Sequence, residues 1–215
     1  MGRCLAMQKI NIFAMLNYTI IDCEQNTPEW FSFRSGVVTG SNIGNLITTG
    51  LKLSESAAAK RYISGLVWER NNGISLDLLF PTFQNYSMTK GKESEPEAIS
   101  TFDVFGEFEK CGFVLHKSGV FGVSPDAVKT QNGVILEGVE IKTPDSKNTF
   151  LDLNGCKNGN DLRNVKFDWW LQCQLSMYVT DLKRWWFISY VPEYTNVFQV
   201  ERDHNAMEVF TKITI

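Results

Sequence analysis

The sequence predicts a mixed α/β domain, a mixed sheet flanked by helices, and three observations carry that expectation. Capped helical segments occupy the first half of the chain. Strand-like runs punctuated by turn residues follow from residue 107, and a long apolar helical pattern separates them from two further strands. With 215 residues, 43% hydrophobic and 21% charged, the chain suits one domain with a substantial core and fits neither disorder nor a fibrous repeat. Residues 27–215 read as that domain and residues 1–26 as an N-terminal extension of weak helix or strand character.

Taken in order, Thr27-Pro28-Glu29 before "WFSFRSG" is an N-cap, a proline at the first helical position and an acid in the first turn; Gly36 ends that helix. "TGSNIGNLI" (39–47) predicts a second short helix opened by Thr39 or Ser41, and "SESAAAKRYISGLVWERN" (54–71) a serine-capped one. "NNGISLDLLFPTFQN" reads as loop, and "GKESEPEAISTFDVFG" (91–106) as a helix with Pro96 near its start and Gly106 at its end. Three strand-like runs follow, 107–116, 119–128 and 133–144, with Gln131-Asn132-Gly133 as a hairpin turn. Residues 161–181 predict one long helix, 184–192 and 196–203 two strands, and "HNAMEVFTKI" a closing helix.

Several function classes are excluded early. No run approaches the roughly eighteen uninterrupted apolar residues of a membrane span, since "CLAMQKINIFAML" is broken by Gln8, Lys9 and Asn11. An intracellular protein without a membrane partner is expected, and "MGRCLA" has Ala6 where a myristoylation signal needs Ser or Thr. The five cysteines are scattered, with no C-x-x-C and only two histidines to join them, which argues for a reducing compartment and against a zinc site. The formal net charge of −3 means that a DNA site has to be a local basic patch. Lys90, Lys92, Lys147, Lys157, Arg163 and Lys166 supply candidates.

The chemistry concentrates in "SPDAV…GVEIKTP". In a strand, Glu140 and Lys142 share a face while Val139 and Ile141 take the other. Asp126 stands one hairpin upstream, so the pattern is D-x13-E-x-K on adjacent strands. Two carboxylates at neighbouring strand ends suit a hard cation such as Mg²⁺, and an ammonium beside them can orient a nucleophile or stabilise charge on a scissile phosphate. The bland alternative is a solvated Glu140–Lys142 pair worth about 0.5 kcal/mol.

Further motifs make the sequence similar to a known family. "SPDAV…GVEIKTP" resembles the core motif of the PD-(D/E)-x-K nucleases, and the run from Trp30 to Asp203 resembles the branch of the lambda exonuclease and YqaJ-type viral recombinases. Trp30, Arg34, Gly36 and Ser41 resemble that branch's N-terminal signature, "GKESEPEA" its acidic helix, and "LQCQLSMYVT" (171–180) its Gln-x-Gln helix. The resemblance implies a restriction-endonuclease-like core. It implies metal ligation by Asp126, Glu140 and the main-chain carbonyl of Ile141, a second ion helped by Glu95, and a catalytic Lys142. Arg34, Ser41, Ser124 and Gln172 match positions that bind the 5′ phosphate of the degraded strand.

The function implied is a 5′→3′ exodeoxyribonuclease on double-stranded DNA ends, using two Mg²⁺ ions or Mn²⁺ in their place and leaving 3′ overhangs. A single-strand annealing protein and a trimeric ring are the implied partner and assembly. Rival readings are a structure- or sequence-specific endonuclease of the same fold and a non-catalytic DNA-end-binding protein. Residue alternatives also stand: Ser41 as a cap, Ser124 as a turn residue, Arg34 paired with Glu29, Gln172 as a polar position on an apolar helix, and Glu93 or Glu97 in place of Glu95. Trp169, Trp170, Trp185 and Trp186 are candidates for base stacking or for the core, with Trp169 on nearly the same helix face as Gln172.

Overall fold

A computed structural model describes residues 16–81, 96–101 and 108–214. Among the described residues eight strands form two four-stranded sheets. The first has the order β1-β3-β4-β2, from Tyr18–Ile21, Phe113–His116, Phe121–Val123 and Val38–Thr39. The second runs β5-β6-β7-β8, from Ala127–Gln131, Val134–Lys142, Arg184–Val191 and Tyr194–Glu201. Both mix parallel and antiparallel pairs: β2 lies parallel to β4 and β6 parallel to β7. The expected mixed α/β class holds, with the strands shared between two sheets.

Helices cover these sheets. They are α1 (Pro28–Arg34), a 3-10 turn Gly40–Asn45, α2 (Ala57–Asn72), α3 (Leu76–Leu79), α4 (residues 96–101), α5 (Lys147–Asn154), α6 (Gly159–Val165), α7 (Phe167–Thr180) and α8 (His204–Thr214). α1 begins as its sequence requires: the Thr27 side chain accepts from Trp30 N, and Gly36 closes the helix at φ +69°. Ser56 caps α2 in the same way, and Gly73 ends it in the left-handed region. Asn132 and Gly133, both at positive φ, make the expected β5–β6 hairpin.

Four expectations need correction. The run 119–128 is two strands in different sheets, because Pro125 has no N–H to continue a ladder and the chain changes sheet there. The helix expected over 161–181 breaks at Lys166 (φ −143°, ψ 73°) into α6 and α7. No glycine or proline marks that break; it lets α6 pack Gly159 on Val200 of β8 while α7 crosses the sheets. Residues 76–79 of the expected loop form α3, capped by Ser75. Finally, β1 falls within the 1–26 stretch yet pairs with β3 from Tyr18↔His116 to Ile21↔Phe113. Most of the helix expected over 91–106 lies outside the described residues.

α7 is apolar on most sides, burying Trp170, Leu171, Cys173, Leu175, Met177 and Val179 in a core shared by both sheets. A second, smaller core on the far side of β6 and β7 joins Ala98 of α4 to Val139, Ile141, Ile188 and Tyr190. Close packing reaches backbone level at Gly138, where a Cβ would stand 2.0 Å from the ring of fully buried Trp185. Gly138→Ala should therefore destabilise the domain by about 2 kcal/mol, with a fall of several degrees in thermal midpoint; an unchanged midpoint would show that the ring moves aside freely.

Candidate active site

The change of sheet at Pro125 makes the site. Asp126 follows it directly, its N–H donating to Val139 O at 3.2 Å and its carboxylate Oδ2 accepting from Ile141 N at 2.5 Å. The second bond spans the position between Glu140 and Lys142. It fixes the carboxylate of Asp126 at the strand that carries the other two groups. Gln25 supports the same corner from the N-terminal side, donating Nε2 to Pro125 O at 3.1 Å and to Cys111 O at 2.7 Å.

Glu140 and Lys142 share one face of β6, as alternation requires, and Val139 and Ile141 enter the opposite core. That face is the one beneath α7. A bulge decides it: pairing shifts between Lys129↔Glu137 and Thr130↔Ile135, leaving Leu136 unpaired and exposed. Without the bulge, regular alternation over the five residues from Ile135, which belongs to the α7-side core, to Glu140 would put the two on opposite faces.

Glu140 is only 2% exposed, and Lys142 Nζ stands 2.5 Å from its Oε1. Burial pushes the Glu140 carboxyl up against the pull of Lys142. Burial alone would push Lys142 down, but the carboxylates of Glu140 and Asp126 outweigh it and hold the ammonium above its ordinary value. Cys173 of α7 feels all three groups, and its buried thiol is pushed well up and kept protonated. Trp169 flanks the pair. Lys142 Nζ lies 5.9 Å from its ring centroid and Lys166 Nζ 5.3 Å, while the ring stacks on Phe187. Of the other tryptophans, Trp170 and Trp185 belong to the core, and Trp186 donates to Glu137 at 2.7 Å.

Of the expected phosphate-binding residues, Arg34 and Ser124 meet. Arg34 Nη1 donates to Ser124 Oγ at 3.3 Å, and the guanidinium stacks 3.9 Å over the Trp30 ring. Trp30 Nε1 also donates to Ser124 Oγ, at 2.9 Å. Burial lowers the Arg34 pKa to about 10, and the cation persists at neutral pH. Gln172 reaches the Ser41 turn instead: a Cβ on Gly40 would stand 3.2 Å from Gln172 Cγ and 3.6 Å from Val123 Cγ1. The parallel register Thr39↔Gly122 places Ser41 and Ser124 beyond the same ends of β2 and β4. The other half of the Gln-x-Gln pair is structural, since buried Gln174 donates to Glu201 O and accepts from Asp203 N, both at 2.8 Å.

Glu95 lies outside the described residues, as do Glu93, Lys90 and Lys92. Glu97, its competitor, lies beside Tyr190 on the far side of the sheet from Glu140. Among the described residues no group of three or more His, Cys, Asp and Glu gathers as a metal cluster. What does gather is two carboxylates beside main-chain carbonyls at the end of β6. That all-oxygen donor set, with the one nearby thiol protonated, fits a hard divalent cation.

Sequence reasoning missed the clasp that holds Arg34. Glu69 of α2 accepts from Gly36 N and from Leu76 N, each at 2.7 Å. Its neighbour Arg70 donates to Gly36 O at 2.6 Å and to Gly119 O at 3.0 Å. Adjacent residues thus tie the end of α1, which carries Arg34, to the turn that starts β4, which leads to Ser124. A signal was present: Ala59, Tyr62, Leu66 and Glu69 keep helical spacing, so the acid ends an otherwise core-facing stripe.

This geometry agrees with comparison to known proteins. Residues 29–183, more than half of the chain, match the model of the YqaJ-like viral recombinase domain. The chain belongs to that family, the branch its motifs resemble. Its structure is similar to LHK-Exo, an alkaline exonuclease from Laribacter hongkongensis, at 24% identity over 87% of this chain and 89% of that one, with a TM-score of 0.65. The same protein in complex with dAMP gives 0.64 at the same identity and coverage. At that identity the likeness establishes the fold. No curated protein matches the sequence. Among the described residues no helix is long and apolar enough to cross a membrane.

Glu69→Gln sets an amide N–H₂ against one of two backbone donors in a buried position. It should cost about 1–3 kcal/mol in urea unfolding; a variant as stable as the parent would deny Glu69 that clasping role.

Proposed function

We propose that the protein is a Mg²⁺-dependent 5′→3′ exodeoxyribonuclease acting on double-stranded DNA ends. The observation that carries this reading is the bond from Ile141 N to Asp126 Oδ2, which brings Asp126, Glu140 and Lys142 to one corner. The Arg34–Ser124 pair stands two residues before that corner. Membership of a viral recombinase family and a fold shared with an alkaline exonuclease support a DNA-degrading role.

Asp126, Glu140 and the Ile141 carbonyl would hold the cation, with Glu95 serving a second ion. When bound, a divalent cation there supplies Lewis acidity, acidifying a water and neutralising charge on the phosphate being cut. Lys142, protonated and confined between Glu140 and the Trp169 face, orients the attacking water and stabilises charge developing on the scissile phosphate. Arg34, Ser41, Ser124 and Gln172 receive the 5′ phosphate, a dianion met by a permanent cation and neutral donors. Lys166 beside Trp169 is placed to meet the backbone of the same strand. Removal of one strand from its 5′ end leaves a 3′ overhang, the substrate of a single-strand annealing protein.

Timed digestion of end-labelled linear duplex should require Mg²⁺ or Mn²⁺ and stop with EDTA, and Lys142→Ala or Glu140→Gln should slow it by about two to three orders of magnitude. A closed circle cut at a comparable rate would assign the protein to the endonucleases. Wild-type end binding with no nucleotide release from any of these proteins would make it a binding protein.

Arg34→Ala should slow digestion of 5′-phosphorylated ends far more than of 5′-hydroxyl ends. Equal losses on the two substrates would remove Arg34 from phosphate recognition.

A further inference from the structure

α2 carries a second apolar stripe beside the one that ends at Glu69. Ile63 and Val67, four residues apart and so on one helix face, are 47% and 51% exposed. With Leu53, Leu66, Val120 and Ile213 they line a groove of about 520 Å³. Single exposed apolar side chains are ordinary, but several that converge on one groove mark a surface built to be covered. The groove offers little to a polar ligand. Arg70 stands on its wall with Nε and Nη2 already donating to the carbonyls of Gly36 and Gly119, which leaves Ser54 and the exposed Glu55 as its other polar side chains.

The chain enters the fold beside this groove. Asn17 O accepts from Lys117 N at 2.8 Å, which sets the start of β1 against the turn between β3 and β4. That turn runs straight into the groove, since Gly119 O is an acceptor of Arg70 and Val120 follows on the wall. α8 comes to the same place: Phe210 packs on Phe121 with ring centroids 6.0 Å apart, and Ile213, one turn further, lines the groove. In the order β1-β3-β4, two strand spacings, about 10 Å, separate β1 from β4. About three extended residues span that distance, and fifteen precede Leu16 in the sequence. Their composition suits the groove. They include Leu5, Met7, Ile10, Ile12 and Phe13, and their only charged side chains, Arg3 and Lys9, are opposite in sign to Glu55.

We propose that residues 1–15 form an intramolecular strap that lies along this groove and seats apolar side chains between Leu5 and Phe13 against Ile63 and Val67. Gly36 and Arg70 line the same groove, so the strap covers the clasp that ties the end of α1 to the start of β4. The inference stands apart from the exonuclease reading, because it concerns only how the chain covers its own surface.

The test uses the full-length protein, an Ile63→Gln/Val67→Gln variant, a Phe13→Gln variant and their combination. Glutamine keeps helix propensity and adds no charge, and on a bare surface such changes are near neutral. Under the strap, the groove variant should lower the thermal midpoint by several degrees. The combined variant should lose much less than the sum of the two separate losses, as contacting sites do. An unchanged midpoint in the groove variant, or fully additive losses, overturns the proposal. Cleavage by trypsin after Lys9 under native conditions, read by mass spectrometry, should be about tenfold faster in the groove variant than in wild type, at a rate independent of protein concentration. Equal cleavage rates overturn the strap. Protection that disappears on dilution gives the groove to a second copy of the chain and overturns it as well.

Discussion

The site depends on one bond, from the backbone N–H of Ile141 to the carboxylate of Asp126. It joins the corner where the chain changes sheets to the strand that carries Glu140 and Lys142, and it does so through a donor whose position is set by the ladder. A carboxylate hung on a loop would carry that loop's mobility. Asp126 cannot, because its own N–H is also taken, by Val139 O, and Gln25 holds the preceding Pro125 carbonyl. Two sheets meeting at a proline are therefore the framework that turns two distant acids into one corner.

α7 completes that framework from above. It contacts strands of both sheets, so it has to be apolar on nearly every side, and its polar groups stand out. Gln172 meets the Gly40–Ser41 turn, Gln174 pins the end of β8, and Trp169 lies beside both Lys142 and Lys166. The break at Lys166 matters here. A single straight helix could not lay Gly159 on β8 and also carry Trp169 over the Glu140–Lys142 pair.

Much of this was legible because it is local. Thr27-Pro28 announces α1, Asn132-Gly133 the hairpin, and the E-x-K alternation places Glu140 and Lys142 on one face while Ile141 enters the core. What was not legible is long-range. The bulge at Leu136 leaves no mark in composition, yet it sets which face carries the acid. The Glu69–Arg70 clasp acts on Gly36, more than thirty residues away, and Gln25 acts across a hundred residues on Pro125. Such contacts arise when tertiary packing assigns a partner to each buried polar group, and a sequence shows the group without the partner.

The Glu140–Lys142 pair itself argues for chemistry rather than stability. Withdrawing two charges from water costs several kcal/mol per ion, and a buried pair rarely recovers more than that. Apolar residues of similar volume at 140 and 142 would continue the surface already made by Cys173, Phe187 and Trp169, a replacement that is often neutral or stabilising for a buried ion pair. Glu140 is nevertheless at 2% exposure, while Lys142, the outer member of the pair, reaches toward solvent at 23%. A pair kept only for its attraction would gain nothing from that asymmetry. It suits a carboxylate required to stay fixed and dry beside an ammonium that has to face whatever enters.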